Sequence, residues 1–429
     1  MSIYVSLLEG WVHPADLFIG LHSGDANAFW LDREAHPTER FSVMGAAGEV
    51  VTEQGIDWLR TEISADEPLD VPFAFRPGHV GFLSYEGEAT FMRVDRALVL
   101  DHDRQYLFFI GEFDSREEFE RWHHAALLRI GLLGGAQAMF KRNHQNLSSS
   151  NESVRHSDAA YLELIARAQD HIRSGDVYQL CLTNQIIADV TGEAVLTFLK
   201  LRELNPAPFA AYLRVGDVEI ISCSPEQFVS VTAAGRVSTK PIKGTRRRSQ
   251  DKTEDARIAE ELRLDPKERA ENLMIVDLMR NDLSRVSKSD SVVVSKLFEV
   301  ESYSTVHQLV STIESDLADD STVVDLLESC FPGGSMTGAP KLRAIELLRD
   351  LEGGPRGIYS GVIGSISPGG AAEFAMVIRT IVVAGNQATI GVGGGITIDS
   401  VPARELEETK IKAAALLSAL EAGDPWLAW

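Results

Sequence analysis

The stretch from Tyr212 to Ile242, YLRVGDVEIISCSPEQFVSVTAAGRVSTKPI, contains four short apolar runs separated by turn residues. These runs predict β-strands at residues 212–214, 219–222, 228–232 and 237–242. Strands that follow one another without an intervening helix pair antiparallel. The segment therefore predicts part of a large antiparallel β-sheet.

Helical and extended patterns mix on both sides of this stretch. Helical periodicity predicts helices at residues 158–173, 254–285 and 403–422. Apolar runs predict further strands at 178–187, 361–367, 374–383 and 389–398, and a hairpin over 97–110 that turns at 101–104. The mixture indicates an α+β fold with large antiparallel sheets rather than a doubly wound parallel sheet.

One polar segment divides the chain. Residues 141–157, KRNHQNLSSSNESVRHS, are crowded with serine, asparagine and charged side chains. This composition is typical of a loop or linker. We therefore expect a β-rich N-terminal part at 1–140, a polar linker at 141–157, and a C-terminal part at 158–429 that carries the motifs below.

Composition narrows the class of protein. The 429 residues carry 41 Lys and Arg against 63 Asp and Glu, for a formal net charge of -22. Such a charge argues against nucleic acid and anionic membrane surfaces as partners. The odd count of cysteines, Cys181, Cys223 and Cys330, does not suit a disulfide framework. Without a signal or membrane-spanning pattern, the expectation is a cytoplasmic protein.

Acidic residues recur at helical spacing in two places. Asp265 and Pro266 form a helix start, after which Glu268 and Glu271 share one face. In the C-terminal helix, Glu405, Glu408 and Lys412 also share a face. Four carboxylates on two helices could hold Mg²⁺, which prefers oxygen ligands. The alternative is a pair of solvated faces, with Glu408 and Lys412 as an exposed ion pair.

Lys243 lies at the end of a predicted strand in PIKGTRRR. A lysine in a desolvated or cation-rich pocket loses proton affinity, and its amine becomes a nucleophile. A basic surface loop is the alternative. His307 could likewise be a hydrogen-bonding residue of a pocket or a satisfied core residue.

Two segments are rich in glycine. Residues 331–341, FPGGSMTGAPK, lead into a predicted helix whose free N–H groups could hold a carboxylate. Residues 391–395, GVGGG, lie in a strand pattern, where glycine lets a ligand approach the backbone closely. Tight turns would explain the same glycines.

Five ordered blocks together resemble one family. They are PIKGTRRR, AENLMIVDLMRNDLSRV, FPGGSMTGAPKLRAIELL, RGIYSGVIGSI and GVGGGITIDSVPARELEET. They are similar to the chorismate-utilising enzymes: anthranilate, aminodeoxychorismate, isochorismate and salicylate synthases. The resemblance is dense from residue 158 to 420 and loose over 1–140. It implies two large antiparallel sheets packed as a sandwich with helices outside.

The resemblance also implies roles for particular residues. The Mg²⁺ ligands would be Glu271 and Glu408, with Glu268 and Glu405 as neighbouring, water-mediated partners. The substrate, chorismate, would contact residues spread over the C-terminal part, namely Arg379, Thr337, Tyr359, Lys412 and the backbone of Gly393, Gly394 and Gly395. Catalytic roles would fall to Lys243, Glu226, Thr245 and His307.

Two positions distinguish the reactions within the family. Gln179 stands where the water-adding members resemble one another in having a lysine, and glutamine goes with the ammonia users. Pro-Ile-Lys-Gly-Thr at Lys243 is typical of aminodeoxychorismate synthases, whereas anthranilate synthases typically have alanine there. The resemblance thus implies amination of chorismate to 4-amino-4-deoxychorismate, toward p-aminobenzoate for folate or an arylamine metabolite, through a covalent Lys243 adduct at C2. The alternative is anthranilate synthase component I.

The implied reaction needs ammonia. None of the three cysteines lies in the nucleophile motif of a glutaminase, so we expect a separate glutamine amidotransferase subunit as partner. A non-catalytic regulatory subunit is the alternative from another class, although Glu226, Lys243, Glu271 and Glu408 form an intact catalytic set.

Overall fold

A computed structural model describes residues 1–63 and 69–428, with side chains described up to Trp426 at the C-terminal end. Residues 64–68, and Trp429 of the predicted C-terminal part, lie outside this range. The N-terminal half contains the strands β1 Ser2–Glu9, β2 Asn27–Asp32, β3 Phe41–Ala46, β4 Glu49–Gln54, β5 Gly78–Leu83, β6 Glu88–Val94, β7 Arg96–Asp101, β8 Tyr106–Phe113, β9 Ser148–Val154 and β10 Gln179–Thr191.

The remaining strands are β11 Phe209–Val215, β12 Val218–Ser224, β13 Gln227–Val231, β14 Arg236–Lys240, β15 Ile242–Arg247, β16 Val293–Ser302, β17 Val306–Asp316, β18 Gly338–Ala339, β19 Val362–Ile366, β20 Ala372–Met376, β21 Thr380–Ala384 and β22 Gln387–Ile396. The α-helices are α1 Pro14–His22, α2 Arg116–Ile130, α3 Ala136–Asn143, α4 Asp158–Arg173, α5 Ala194–Leu204, α6 Lys252–Leu264, α7 Pro266–Ser284, α8 Val323–Cys330, α9 Lys341–Glu352 and α10 Pro402–Ala419.

The strands form two large antiparallel sheets. The larger sheet has the order β1-β8-β7-β3-β2-β11-β12-β21-β22-β10-β18, with β9 also paired to β10. The smaller sheet has the order β15-β17-β14-β13-β20-β19-β5-β6-β4, with β16 also paired to β17. This architecture confirms the α+β prediction. Both sheets combine strands from the predicted N-terminal and C-terminal parts, since β2 pairs with β11 and β5 pairs with β19.

The two sheets pack face to face around an apolar core. Phe29 and Leu31 of β2 point into this layer, where they share a cluster with Val80 and Phe82 of β5. Trp30 points the opposite way, into a second cluster with helices on the outer face of the larger sheet. Alternate residues therefore bury both faces of the strand, which explains the apolar run AFWL at residues 28–31.

The helices that carry the acids begin where the sequence predicts. The Asp265 side chain accepts hydrogen bonds from the backbone N–H groups of Lys267 and Glu268, at 3.0 and 3.2 Å, and Pro266 is the first residue of α7. Pro402 is the first residue of α10 in the same way. Both starts follow local capping rules.

Two predictions of local structure were wrong. Residues 374–383 do not form one strand, because the chain leaves β20 in the smaller sheet and enters β21 in the larger one, and Arg379 between them has φ 52°. The predicted linker contains a strand, since Ser148–Val154 pairs with β10. Its polar side chains mostly face solvent at the sheet edge, so pairing of the backbone, not burial, explains this strand.

Within the described ranges, no helix has the length and apolar character required to cross a membrane.

Candidate active site

The candidate site lies where α7 and α10 meet β10, β15 and β22. Asn272 of α7 donates from Nδ2 to the carbonyl oxygen of Pro241, 3.2 Å away, immediately before β15. Asn272 also accepts a hydrogen bond from Ser311 of β17. These buried contacts fix the helix that carries Glu271 against the strand that carries Lys243.

Lys243 lies among carboxylates. Desolvation acts to lower the pKa of its amine, but the negative charges around it, with Glu271 the strongest carboxylate and Glu226 and Glu408 also contributing, raise that pKa above its ordinary value. The protein without ligands therefore favours the ammonium form of Lys243. The loss of proton affinity considered for Lys243 is therefore not found in the protein without ligands, and the nearby arginines are paired with acids, Arg246 with Asp265 and Glu268 and Arg248 with Asp255.

Glu226 follows β12 and is buried beside Lys243. Burial raises the pKa of its carboxyl group to about 7, although the positive charge of Lys243 acts in the opposite direction. Ser335, in the glycine-rich loop, hydrogen-bonds to the Glu226 side chain. A carboxyl group with this pKa is partly protonated at neutral pH and can donate a proton.

Glu271 is more deeply buried than Glu268, the other predicted metal-site acid of α7. Its side chain is buried, its Oε1 atom makes no hydrogen bond to any residue described, and burial raises the pKa of the carboxyl group. A buried carboxylate oxygen without a donor requires compensation by a cation or a ligand.

The acids of α10 lie under the glycine-rich strand β22. A methyl group added at Gly394 would lie 3.6 Å from Glu405 Oε2, 3.6 Å from Lys412 Nζ and 4.0 Å from Glu408 Oε1. Lys412 Nζ is 2.8 Å from Glu408 Oε1 and donates to the Gly393 carbonyl oxygen at 2.8 Å. Although burial opposes it, the charge of Lys412 holds the pKa of Glu408 below its ordinary value.

Lys267 separates the acids of the two helices. Its Nζ atom is 3.1 Å from Glu405 Oε1 and 3.7 Å from Glu271 Oε1. Glu268 pairs instead with Arg246 at 3.4 Å. Among the residues the structure describes, no three acidic, histidine or cysteine side chains converge on one point as a metal group. The donor chemistry nevertheless suits Mg²⁺, since the oxygens are carboxylates and Glu271 Oε1 is buried without a donor.

Arg379 and Tyr359 lie close to this group. The Arg379 guanidinium makes no hydrogen bond or ion pair within residues 1–63 and 69–428, and burial lowers its pKa although the charges of Tyr359 and Glu408 oppose this. The Tyr359 ring fills the space above Gly391, where an added methyl group would meet ring atoms at 2.0 Å. A half-buried arginine without a partner is suited to bind an anionic ligand.

Gln179 is the first residue of β10, and it is completely buried. Neither polar atom of its side-chain amide has a hydrogen-bond partner in the described part of the chain. A methyl group added at Gly395 would be 2.7 Å from Gln179 Nε2 and 3.5 Å from Glu271 Oε2. The amide therefore lies close to Glu271, and neither of its polar atoms is satisfied by the described residues.

Three other residues were predicted as part of the site, namely Thr337, Thr245 and His307. Thr337 is buried, and its hydroxyl donates to the carbonyl oxygens of Gly333 and Gly334 within its own loop, at 3.2 and 3.4 Å. Thr245 is exposed on β15, opposite Gln308 of β17. His307 is buried with both ring nitrogens engaged, Nδ1 by Ser302 Oγ at 2.8 Å and Nε2 by Asp255 Oδ1 at 2.9 Å. This histidine joins α6 to β17, and its nitrogens are not free for a ligand.

A sequence model of the chorismate binding enzymes matches residues 32–418. The chain belongs to this family. Among its curated relatives, the aminodeoxychorismate synthase of Streptomyces griseus is 41% identical over 398 residues, which cover 88% of this chain and 55% of that protein. The chain thus spans about half the length of this relative. Anthranilate synthase component 1 of Thermus thermophilus is 44% identical over 79% of this chain and 72% of that protein.

Solved structures of chorismate binding enzymes share the fold. Anthranilate synthase component I from Streptococcus pneumoniae superposes with a TM-score of 0.73 and 29% identity, over 89% of this chain and 92% of that one. The Escherichia coli isochorismate synthase MenF gives a TM-score of 0.75 at 17% identity, over 98% of this chain and 95% of that one. At 17% identity, the similarity to MenF concerns the fold alone.

Three residues of the site in this chorismate binding enzyme were not predicted from sequence. Lys267 bridges Glu271 and Glu405, Ser335 binds Glu226, and Gln308 is buried with an unpartnered Oε1 beside Thr245. The contact of Lys267 with Glu271 could have been predicted, because residues four apart lie on one face of a helix. For Gln308 the sequence gives no comparable signal, because its strand VHQLVSTIESD contains several other polar residues.

Proposed function

We propose that the chain catalyses the Mg²⁺-dependent amination of chorismate by ammonia, giving 4-amino-4-deoxychorismate and water. The observation that carries the proposal is the position of Lys243, whose amine is buried within interaction range of the Glu226 and Glu271 carboxylates. The names of relatives such as the Streptomyces griseus aminodeoxychorismate synthase support the same reaction.

In the first step, the Lys243 amine bonds to C2 of the ring as the C4–O bond breaks. Glu226 gives its proton to the departing hydroxyl, which leaves as water. Its pKa of about 7 supports this role, because an ordinary glutamic acid would be almost fully ionised at neutral pH. Lys243 is held as an ammonium in the free protein, so it must release a proton before it attacks.

In the second step, ammonia bonds to C4 as the C2–N bond to Lys243 breaks. The lysine leaves as the neutral amine, the product carries the new ammonium group, and the Glu226 carboxylate recovers a proton from solvent. The enolpyruvyl ether remains intact throughout. Two displacements at one ring depend mainly on positioning.

Chorismate is a dianion with two carboxylates, one of which would be bound by Arg379 and the other by Mg²⁺. Arg379 would bind the enolpyruvyl carboxylate, which is supported by its lack of an ion pair among the described residues. Lys412, Gln179 and the backbone of Gly393 to Gly395 would line the ring, with Tyr359 and Thr337 behind it. On a chain of net charge -22, these local cations would offset long-range repulsion of the substrate.

Glu271 and Glu408 would bind Mg²⁺ directly, with Glu268 and Glu405 as neighbouring partners. When bound, Mg²⁺ would supply charge stabilisation and orientation for the ring carboxylate of the substrate. The buried Oε1 of Glu271, which accepts no hydrogen bond from the described residues, supports this assignment.

Ammonia would come from a separate glutamine amidotransferase subunit. Cys181, Cys223 and Cys330 are buried, and burial raises the pKa of each thiol, that of Cys330 to about 12. Buried thiols with raised pKa values do not act as nucleophiles on glutamine. Three free thiols also suit the reducing cytosol, and the product would lead toward p-aminobenzoate.

Product identification tests the proposal. Purified protein with chorismate, Mg²⁺ and ammonium should form an amino product that retains the enolpyruvyl ether, measured by mass spectrometry. The second candidate is anthranilate synthase, favoured by the 44% identity to the Thermus thermophilus enzyme. Formation of anthranilate with stoichiometric pyruvate would establish that candidate and reject ours.

A further inference from the structure

Lys267 connects the two helices that carry the acids. Its Nζ atom donates to Glu405 Oε1 on α10 at 3.1 Å and lies 3.7 Å from Glu271 Oε1 on α7. Glu271 and Glu405 are only 8% and 4% exposed. One ammonium group therefore bridges two buried carboxylates on different helices.

The other acids of the site have their own cations. Glu268 pairs with Arg246, and Glu408 pairs with Lys412. Lys243 also faces Glu271, but in the described part of the chain the ion pairs of Glu271 and Glu405 are those with Lys267. Two buried carboxylates without a cation would repel each other and would be costly to desolvate.

Lys267 thus contacts Glu271, proposed above as a direct Mg²⁺ ligand, and Glu405, proposed as a neighbouring partner of the ion. We propose that Lys267 is a tethered counter-ion, which holds Glu271 and Glu405 together in the metal-free protein and is displaced when Mg²⁺ binds. This inference rests on the metal site of the proposed function. Lys267 would then have a positioning role. The affinity for Mg²⁺ would depend on the fraction of time that its ammonium does not contact Glu271 and Glu405.

Lys267 can leave without disrupting the fold. Its side chain is 46% exposed, in contrast to the two carboxylates it contacts. A flexible lysine stem can rotate toward solvent, where the ammonium is well hydrated. Displacement therefore exchanges one cation for another at the same carboxylates, without exposing apolar core.

The size of the effect follows from occupancy. When a site is competent for only part of the time, its apparent affinity falls by that fraction. If the lysine bridge forms about 90% of the time, its removal should tighten Mg²⁺ binding about tenfold.

Calorimetric titration of Mg²⁺ into the metal-free, substrate-free protein tests this. Lys267→Met should bind Mg²⁺ about tenfold more tightly than the wild type and should melt at a lower temperature without metal. Lys410→Met is the matched control, because Lys410 is also half-buried and pairs with Asp158 of α4 at 2.6 Å. It removes the same charge from the region without freeing a site carboxylate, so its Mg²⁺ affinity should change less than about twofold.

Repeating the titrations at high salt separates local competition from long-range attraction. The higher Mg²⁺ affinity of Lys267→Met should persist at about 0.5 M salt, where the long-range attraction between Mg²⁺ and the negatively charged protein is screened. An equal or weaker Mg²⁺ affinity in Lys267→Met, or an equal gain in Lys410→Met, would overturn the proposal. Lys267→Gln provides the same comparison if the methionine variant does not fold.

Glu271→Gln separates a failure of the proposed metal site from a failure of the proposed role of Lys267. Loss of Mg²⁺ binding in Glu271→Gln, with unchanged binding in Lys267→Met, would reject the tethered counter-ion and leave the metal site standing. Unchanged Mg²⁺ binding in Glu271→Gln would reject the metal site itself and the role of Lys267 with it.

Discussion

Asn272 donates a hydrogen bond across 3.2 Å to the carbonyl oxygen of Pro241, so the helix carrying Glu271 is fixed to the strand carrying Lys243. Asn272 is completely buried and also accepts a hydrogen bond from Ser311. This amide side chain, together with the ion pairs of Arg246 with Asp265 and Glu268, sets the spacing between the proposed nucleophile and the proposed metal ligand.

Asn272→Ala should lower both stability and activity. The change leaves the Ser311 hydroxyl and the Pro241 carbonyl oxygen buried with one partner fewer, which costs about 1–3 kcal/mol. Urea unfolding measures the loss, and the ammonia-dependent rate should fall even under conditions where the variant stays folded. Asn281→Ala, an exposed change on the same helix, should alter neither quantity appreciably. Full activity in Asn272→Ala would show that the helix is positioned by other contacts.

The pH dependence should report Glu226. Because burial raises the pKa of this carboxyl group to about 7, the proton it donates is lost as pH rises through that value. Lys243 must give up the proton that its raised pKa holds, so above about pH 7 the loss of acid from Glu226 is offset by the gain of neutral amine at Lys243. At a fixed concentration of free NH₃, kcat/KM should therefore rise with pH up to about 7 and level off above it. Glu226→Gln should lower the rate by about 100- to 10,000-fold and remove the break at about pH 7. A break that survives in the variant would assign the titration to another group.

The same carboxyl group should also affect stability. The pKa of Glu226 is higher in the folded protein than in the unfolded chain, so its stabilising contribution is complete below about pH 4.5 and is lost as pH rises through about 7. Glu226→Gln has no proton to lose. Relative to the wild type, its melting temperature should therefore rise between pH 5 and pH 8. A constant difference across this range would contradict the raised pKa.

Arg379 and Arg356 form a matched pair. The Arg379 guanidinium has no partner among the described residues, whereas buried Arg356 binds Glu352 and the carbonyl oxygens of Met336 and Cys181. Arg379→Met should raise KM for chorismate by about 10- to 150-fold, the equivalent of about 1.5–3 kcal/mol for a charged hydrogen bond, with little loss of stability.

Arg356→Met should lower stability rather than raise KM for chorismate. It leaves the Glu352 carboxylate buried without its cation, so the free energy of unfolding should fall by about 3–5 kcal/mol. Steady-state kinetics and chemical denaturation measure the two effects. An Arg379 variant as unstable as the Arg356 variant, with unchanged KM, would show that Arg379 is structural.

Local signals predicted much of the fold. Capping by Asp265 and Pro266 predicted the start of α7 because the first turn of a helix depends on its neighbours in sequence. The hairpin of β7 and β8 followed from two short apolar runs around a polar turn. The break at Arg379 could not be predicted, since β20 and β21 belong to different sheets and the apolar run continues through both.

The site was less predictable, because its electrostatics depend on distant pairings. The run KGTRRR left a reactive pocket and a basic surface loop open for Lys243, and neither alternative includes the pairing of Arg246 and Arg248 with acids at 255, 265 and 268. His307 is bonded to Asp255, which lies 52 residues earlier in the chain. Family resemblance identified the acids, yet the bridge from Lys267 to Glu405 requires the packing of α7 against α10 to be known.

A covalent bond between Lys243 and the substrate ring is the central claim, and intact-protein mass spectrometry tests it most directly. Protein mixed with chorismate and Mg²⁺ in the absence of ammonia should gain the mass of chorismate less one water, and peptide mapping should locate the addition at Lys243. Added ammonium should remove the adduct and release the amino product, and Lys243→Ala should form no adduct. Full ammonia-dependent turnover by Lys243→Ala, with no adduct on the wild type, would contradict the covalent mechanism.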